Sequence, residues 1–529
     1  MIVENTDEHP ILTLIHRAEA EWNAKIKRQS KTLKDAAAEY RRRYGRNPPK
    51  GFDKWWEYAK ANKIVLVDEY DQIFKDLQPF YALDPNDLRH RINVMQEREE
   101  TFTIRVQDGE LSQHGEYASL ARAGDLSDLM SRVVAHLPNL NMTFTRHDQP
   151  ACQLSFALKE HLLDQVEQGE YYSPSDYIIE SDLALSNWAR GCHPHSPLRE
   201  IETAGLEANP ATDYKERINR PSYETENSKK RSFIYDHSAA MDICQHPEIM
   251  SYHGFTMASG TDAGPLVPLF TFAKTNIHAD ILATPLEQYS PTYIGFDPDW
   301  DKKPYNKLMW RGSTTGVDFI TGNDWRNSQR SRLHFVTNEK EGEKEVLLEV
   351  NGKAKKEKID VGKMNSMFMD CSFSGKPAQC DPETCKIMTD VIDFKPTMGL
   401  DESYQYKYVF DVDGNGWSGR FHRLMSMKAA VLKSTLFPEW YADRIQPWVH
   451  YIPIKVDYSD LYDVMTFFAG TPGGNKGHDG LGKKIGTAGK DWAANHWRPQ
   501  DMASYMFRLS LEWSRLAHRG NGNLDYVDF

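Results

Sequence analysis

No apolar run in the 529 residues approaches the roughly 18 to 20 needed to cross a bilayer. The opening decapeptide, MIVENTDEHP, also lacks the basic and apolar regions of a secretory leader. The chain therefore reads either as cytosolic or as one that has lost its targeting segment. Positive charge is not in excess: 64 Lys and Arg stand against 76 Asp and Glu, a net of -12. The basic residues are scattered apart from short runs such as Arg41-Arg42-Arg43 and the stretch from Lys353 to Lys358. A nucleic-acid partner needs a concentrated basic surface, so that class falls away. There are only six cysteines, and no fourth ligand stands at zinc spacing beside Cys371, Cys380 and Cys385; those three could instead pin a loop by disulfide. Asn141-Met142-Thr143 is the one glycosylation sequon, and there is no internal repeat.

What is present is ample core material, 40% hydrophobic and 12% aromatic, in a chain long enough for two domains. The first sixty or so residues read as helices, broken at Asn47-Pro48-Pro49, with Trp55 and Trp56 as packing anchors. From residue 65 to about 295 short apolar stretches alternate with helical ones, which predicts an α/β layer. The segment IETAGLEANPATDYKERINRPSYETENSKKRS looks like a long surface excursion. A second alternating region begins near 300, and within it NGKAKKEKIDVGKMNS suggests an exposed hairpin. The sequence GTPGGNKGHDGLGKKIGTAGK reads as a flexible glycine-rich run, and DMASYMFRLSLEWSRLAHR as a closing amphipathic helix.

The stretch VFDVDGNGWSGRFHR, residues 409 to 423, admits three readings. As a calcium loop opening at Asp411 it needs a bidentate Glu at its twelfth position, which is His422. As a metal-bridging pair, Asp411 and Asp413 would sit under a nucleotide sugar. As a phosphate cradle, the strand YKYVF ends in Gly414, Gly416 and Gly419, whose small size lets backbone N–H groups reach an anion, with Arg420 as counter-charge and a helix N-terminus following. The cradle uses every feature, although an ordinary β-α turn has the same spacing. A second donor-rich loop, MWRGSTTG, holds Arg311, Gly312, Ser313, Thr314 and Gly316 after a short strand. Together the loops suggest one domain that binds a diphosphate.

These residues carry a resemblance. WRGSTTG, FDVDGNGWSGRFHRLMSMKAAVLKS and QPWVHYIPIKVDYSDL resemble glycosyltransferase family 90, which includes fungal capsule-associated xylosyltransferases and animal protein O-glucosyltransferases. SKTLKDAAAEYRRRYGRNPPKGFDKWWEYA resembles the fungal branch. The resemblance implies an α/β chain of GT-B architecture, two Rossmann-like domains facing across a cleft. It implies an inverting, metal-independent transfer from a UDP-sugar that gives a β-linkage, with no cofactor. Carried over by motif, the donor would be lined by Arg311, Gly312, Ser313, Thr314, Asp413, Gly414, Asn415, Gly416, Ser418 and Arg420, with Lys433 and Ser434 near the nucleotide. Arg330 and Arg332 in SQRSRLHF hold the family's basic position.

NMTFTRHDQPA resembles the family segment in which an Asp two residues before a Pro ends a strand, which makes Asp148 the expected catalytic base and His147 its neighbour. Lys274, His278 and Asp280 would line the cleft. The expected division is a helical segment (1–64), an acceptor-side domain (65–295), a donor domain (296–490) and a terminal helix returning to the acceptor side (491–529). Expected partners are a UDP-sugar, UDP-xylose first and UDP-glucose second, and a mannose-containing glycan, glycolipid or protein acceptor. The family implies residence in the Golgi or endoplasmic reticulum lumen, behind an anchor that this sequence lacks. A non-catalytic nucleotide-sugar- or glycan-binding relative is the rival reading.

Overall fold

A computed structural model describes residues 8–173, 185–208, 223–257, 263–289 and 295–527. Helices Pro10–Arg28, Leu33–Tyr44 and Phe52–Ala61 open the chain. Thr32 caps the second, accepting from the Asp35 N–H while the Asp35 carboxylate reaches back, and Gly45 ends it at φ 66°. Trp55 is fully withdrawn from water, and its indole N–H donates to Ser504 Oγ at 3.0 Å, so this segment is anchored to the far end of the sequence.

The first sheet contains β1 (Thr101–Gln107), β2 (Glu110–His114), β3 (Leu140–Thr145), β4 (Phe270–Thr271) and β5 (Ile281–Leu282), in the order β2-β1-β3-β4-β5. β1 is antiparallel to β2 and β3, while β3, β4 and β5 run parallel. The second half contributes β6 (Tyr305–Gly312), the hairpin β7 (Glu343–Val350) and β8 (Lys353–Asp360), then β9 (Met369–Phe373), β10 (Tyr406–Val412), β11 (Ala430–Ser434) and β12 (Ile452–Pro453). Apart from the hairpin these strands form a wholly parallel sheet ordered β12-β11-β10-β6-β9. β10 lies at its centre, and Tyr408, Val409, Phe410 and Val412 are at most 1% exposed, as a strand covered on both faces requires.

Several readings of the sequence need correction. The glycine-rich run from 470 is only partly loop, because helix Asp479–His496 occupies most of it. Gly482, Gly486 and Gly489 form its packing face: a Cβ at these positions would press on Tyr408, Ala429 and His450, so the glycines permit close approach to the sheet. The closing helix, Pro499–Ala517, is amphipathic in sequence as expected, yet it is buried over nearly its whole length. It lies on the first half, with the Trp513 indole N–H donating to Asn141 O at 2.9 Å. The disulfides are Cys380–Cys385 and Cys192–Cys244; Cys371 is a buried free thiol on β9, turned into the core. The surface excursion begins as helix Pro197–Ala208, and residues 209–222 lie outside the described ones. Among the described residues no helix is long and apolar enough to cross a membrane.

Candidate functional site

Read in chain order, the parallel sheet is 2-1-3-4-5, and its strand order reverses between β6 and β10. The connections leaving the carboxyl ends of these two strands diverge to opposite sides, which opens a crevice where ligands of doubly wound sheets bind. The two loops singled out in the sequence, 313–316 and 413–420, leave β6 and β10 at this point. Asp148 follows the carboxyl end of β3 in the other sheet.

The loops are locked together by backbone-directed bonds. Arg330, on helix Gln329–Asn338, donates from Nε to Asp413 O (2.9 Å) and from Nη1 to Ser313 O (2.9 Å) and Thr315 Oγ1 (2.5 Å). Gln329 Nε2 donates to Gly414 O (3.2 Å) and Gly316 O (3.3 Å), and Asn415 Oδ1 accepts from the Gly316 N–H (2.9 Å). Gly316 has φ 101°, and a Cβ there would meet Gln329 and the Gly414 carbonyl. Gly416 touches the first half: a Cβ would overlap the Asp148 carbonyl, so only glycine lets the loop reach the strand end that carries this carboxylate. Gln149 Nε2 donates to Asn415 O at 2.9 Å beside it.

Cationic charge converges here. Burial, with Arg420 second, pulls Arg330 down to about 9, and burial and then Arg420 also lower Arg423. Guanidinium groups gathered in this way, with burial and a neighbouring cation both acting against their charge, mark a candidate anion site. Three buried polar atoms of the same loop lack a protein partner: Asp413 Oδ1, Trp417 Nε1 and Arg420 Nε. Unpartnered buried atoms occur elsewhere in the protein as well, but these three lie within eight residues of one another and retain hydrogen-bonding capacity.

The two carboxylates of the DVD face inward. Asp411 accepts from Ser418 Oγ (2.5 Å) and Lys433 Nζ (2.8 Å), while Asp413 Oδ2 accepts from the Leu436 N–H (2.7 Å) and meets His253 Nε2 (3.2 Å). Both are fully buried. The helix expected after the loop is the single turn Phe421–Met425, because AVLKS forms β11 instead; a short apolar run does not distinguish buried strand from helix by its period. A single turn carries little dipole, so the positive potential here comes from the arginine side chains.

The expected donor residues separate into two groups. Ser313, Thr314, Arg330, Asp413, Gly414, Asn415, Gly416 and Arg420 converge at the switch point. Thr314 braces the first loop, its Oγ1 accepting from the Ala378 N–H (2.7 Å) and donating to Ala378 O (3.0 Å). Arg311, Gly312, Ser418, Lys433 and Ser434 are engaged beneath it. Arg311 donates from Nη2 to Asp370 Oδ1 (2.7 Å) on the neighbouring strand, and Gly312 lies against the Trp310 ring. Lys433 is buried between Asp411 and Glu439 (3.8 Å); burial opposes its charge, but the two carboxylates outweigh it and raise its pKa. Ser434 Oγ donates to Lys455 O (3.4 Å). Arg332 donates from Nε to Asp457 O (2.9 Å).

On the opposing side, Asp148 Oδ1 accepts from Arg122 Nη2 at 2.7 Å, and its side chain is 39% exposed. His147 Nε2 is 2.8 Å from Glu100 and so is turned away. Asp280, buried and raised to about 6 by that burial, accepts from the Ala151 (2.9 Å) and Cys152 (2.8 Å) N–H groups, which fixes the chain just after Asp148. Lys274 donates to Asp280 O (2.9 Å), and the His278 ring meets Thr275 Oγ1 (2.7 Å). These three support the strand end from within. Arg122, Glu287, Gln329 and His253 join the site without having been expected: Gln329 stands beside Arg330 in SQRSRLHF, where only the arginines were singled out, and the other three stand in segments with no motif.

A family model described as Glycosyl transferase family 90 matches residues 241–520, which include both loops but not Asp148. Protein O-glucosyltransferase 1 of Rattus norvegicus is 24% identical over 277 residues, 50% of this chain and 61% of that protein. The O-glucosyltransferase rumi homolog of Aedes aegypti is 24% identical over 260 residues, 47% of this chain and 56% of its own length. Protein O-glucosyltransferase 2 of Danio rerio is 32% identical over a shorter 114 residues, 21% of each protein. The chain thus spans about six-tenths of the length of the first two relatives.

Proposed function

The chain belongs to glycosyl transferase family 90, and from that premise we propose that it is an inverting glycosyltransferase. In this reading it transfers a sugar, xylose in first place, from UDP to a hydroxyl of a mannose-containing glycan or glycolipid. The observation that carries the reading is the meeting of two unlike elements at one point. A cationic cradle with three orphaned polar atoms on one half touches the strand end that bears an acceptor-side carboxylate on the other. Two sheets whose carboxyl ends meet in this way suit a GT-B architecture, divided as 65–295 and 296–490 with helical segments at either end.

In the proposed step Asp148 takes the proton of the acceptor hydroxyl while its oxygen bonds to the anomeric carbon from the face opposite UDP. The bond from that carbon to the phosphate oxygen breaks, and the electron pair leaves with UDP. Charge developing on the diphosphate is met by N–H groups of the two loops and by Arg420, with Arg330 holding the loops in register. No metal is assigned. Three of the four carboxylate oxygens of Asp411 and Asp413 are engaged, by Lys433, Ser418, His253 and a backbone N–H, and in this reading the arginines provide the neutralisation a metal would otherwise supply. The two disulfides suit an oxidising compartment, so residence in the secretory lumen is part of the proposal.

A second reading has equal support: the relatives carry the name O-glucosyltransferase, which favours UDP-glucose and a protein hydroxyl. Xylose is placed first because the N-terminal helical segment resembles the fungal branch. Incubation with UDP-xylose, UDP-glucose, UDP-galactose and UDP-N-acetylglucosamine, each with a mannoside and with a serine peptide acceptor, tests the choice. Transfer from UDP-xylose to the mannoside is expected; transfer from UDP-glucose to the peptide alone would install the second reading. Binding of UDP without transfer from any donor would favour a non-catalytic relative.

A further inference from the structure

Arg122 stands on helix Ala121–Ser131, in a segment without a recognisable motif, yet its whole guanidinium is spent around Asp148. Nη2 donates to Asp148 Oδ1 at 2.7 Å, Nε donates to Glu287 Oε1 at 2.8 Å, and Nη1 donates to the carbonyls of Arg146 (2.8 Å) and His147 (3.2 Å). One cation therefore serves two carboxylates. It is also clamped between the halves, 5.3 Å from the Phe272 ring and 6.0 Å from the ring of Trp417 in the donor loop. Among the described residues no hydrogen bond reaches Asp148 Oδ2.

Resting on the reading of Asp148 as the base, we infer that Arg122 and Glu287 are positioning residues that set its basicity. A guanidinium alone would bind a carboxylate through both oxygens, hold it ionised and make it a poor proton acceptor. Glu287 draws off part of that fork, leaving one Asp148 oxygen open and adding a negative neighbour that makes the carboxylate more willing to take a proton. Burial raises Glu287 itself; Arg122 opposes the rise, and Asp148 and Asp125 add to it. The other charged groups about the site are Asp125, on the helix of Arg122, and Arg146 and His147, both paired to Glu100. From the donor loop the facing residues are Asn415, Gly416 and Trp417, which carry no charge.

The test is the acid limb of kcat/KM against pH in the full-length protein, for Glu287→Gln, Arg122→Met and Asp148→Asn, with thermal midpoint and UDP affinity as folding controls. Removing the anion next to Asp148 makes it less basic, so Glu287→Gln shifts the limb down by about 0.5–1 pH unit. Removing the cation shifts it up by about one unit in Arg122→Met; both magnitudes are discounted for partial exposure. A contact that merely held the fold would lower turnover without moving the limb in opposite senses. If Arg122→Met does not fold, the downward shift in Glu287→Gln supports the inference alone and an unmoved limb overturns it. Limbs that stay put in both variants, with Asp148→Asn inactive, overturn the inference and leave the base assignment standing. A fully active Asp148→Asn overturns both.

Discussion

Asp148→Asn is expected to lower kcat by about 10²–10⁴-fold, the range a positioned general base contributes, while UDP affinity changes by no more than about twofold. The asymmetry follows from where the carboxylate stands. It ends a strand of the first sheet, meets the donor loop through its own backbone at Gly416, and is held by Arg122 from its own half. None of the groups assigned to the diphosphate depends on its charge. The amide keeps the shape and still accepts from Arg122, but it cannot take up the acceptor proton as the new bond forms. Single-turnover kinetics beside calorimetric UDP titration separates the two quantities. Full turnover in the variant would remove the base assignment and reopen the choice among the other acidic groups of the cleft.

Arg420→Ala is expected to weaken UDP binding by roughly 10- to 100-fold, matching the 1.5–3 kcal/mol of a charge-assisted hydrogen bond. It should also lower kcat, because charge on the leaving group grows as the bond breaks. The unusual part of this prediction concerns stability. Arg420 donates from Nη2 to Val412 O at 2.7 Å, but its Nε is an orphan and its charge depresses both Arg330 and Arg423. Without ligand it is only partly satisfied and stands beside two further cations, so its removal leaves the thermal midpoint of the free protein unchanged or raises it. A structural arginine would show the reverse: a lower midpoint with UDP affinity preserved. Urea melts with and without UDP distinguish the cases, since the stabilisation by ligand collapses along with affinity.

Much of the site was legible because its residues are local in sequence. A buried strand followed by closely spaced glycines and an arginine occupies one short stretch, and the structure sets that stretch at the crevice where the parallel sheet changes direction. What sequence could not supply were partners brought from afar. Arg330 was expected at the site, but not its stapling of residues 313 and 413, and Arg122, which reaches Asp148 and Glu287, was not expected at all; both act across separations no motif spans. The family motif put Arg311 among the residues lining the donor and Lys433 near the nucleotide. The structure pairs Lys433 with Asp411 and Arg311 with Asp370, each on the neighbouring strand, and pairing of that kind depends on strand order, which no motif states. The glycine-rich segment at 479–496 misled in the other direction. Glycine reads as a loop former from composition, yet at spacings of three and four on one helix face it serves close packing.

The central claim is that arginines and loop N–H groups, not a metal held by the DVD, stabilise the departing UDP during an inverting transfer. It is tested by running the reaction from an α-linked UDP-sugar in excess EDTA and reading the anomeric coupling of the product by NMR. The account predicts undiminished transfer and a β-linked product. Activity that vanishes in EDTA and returns with a divalent cation, or an α-linked product, would contradict it.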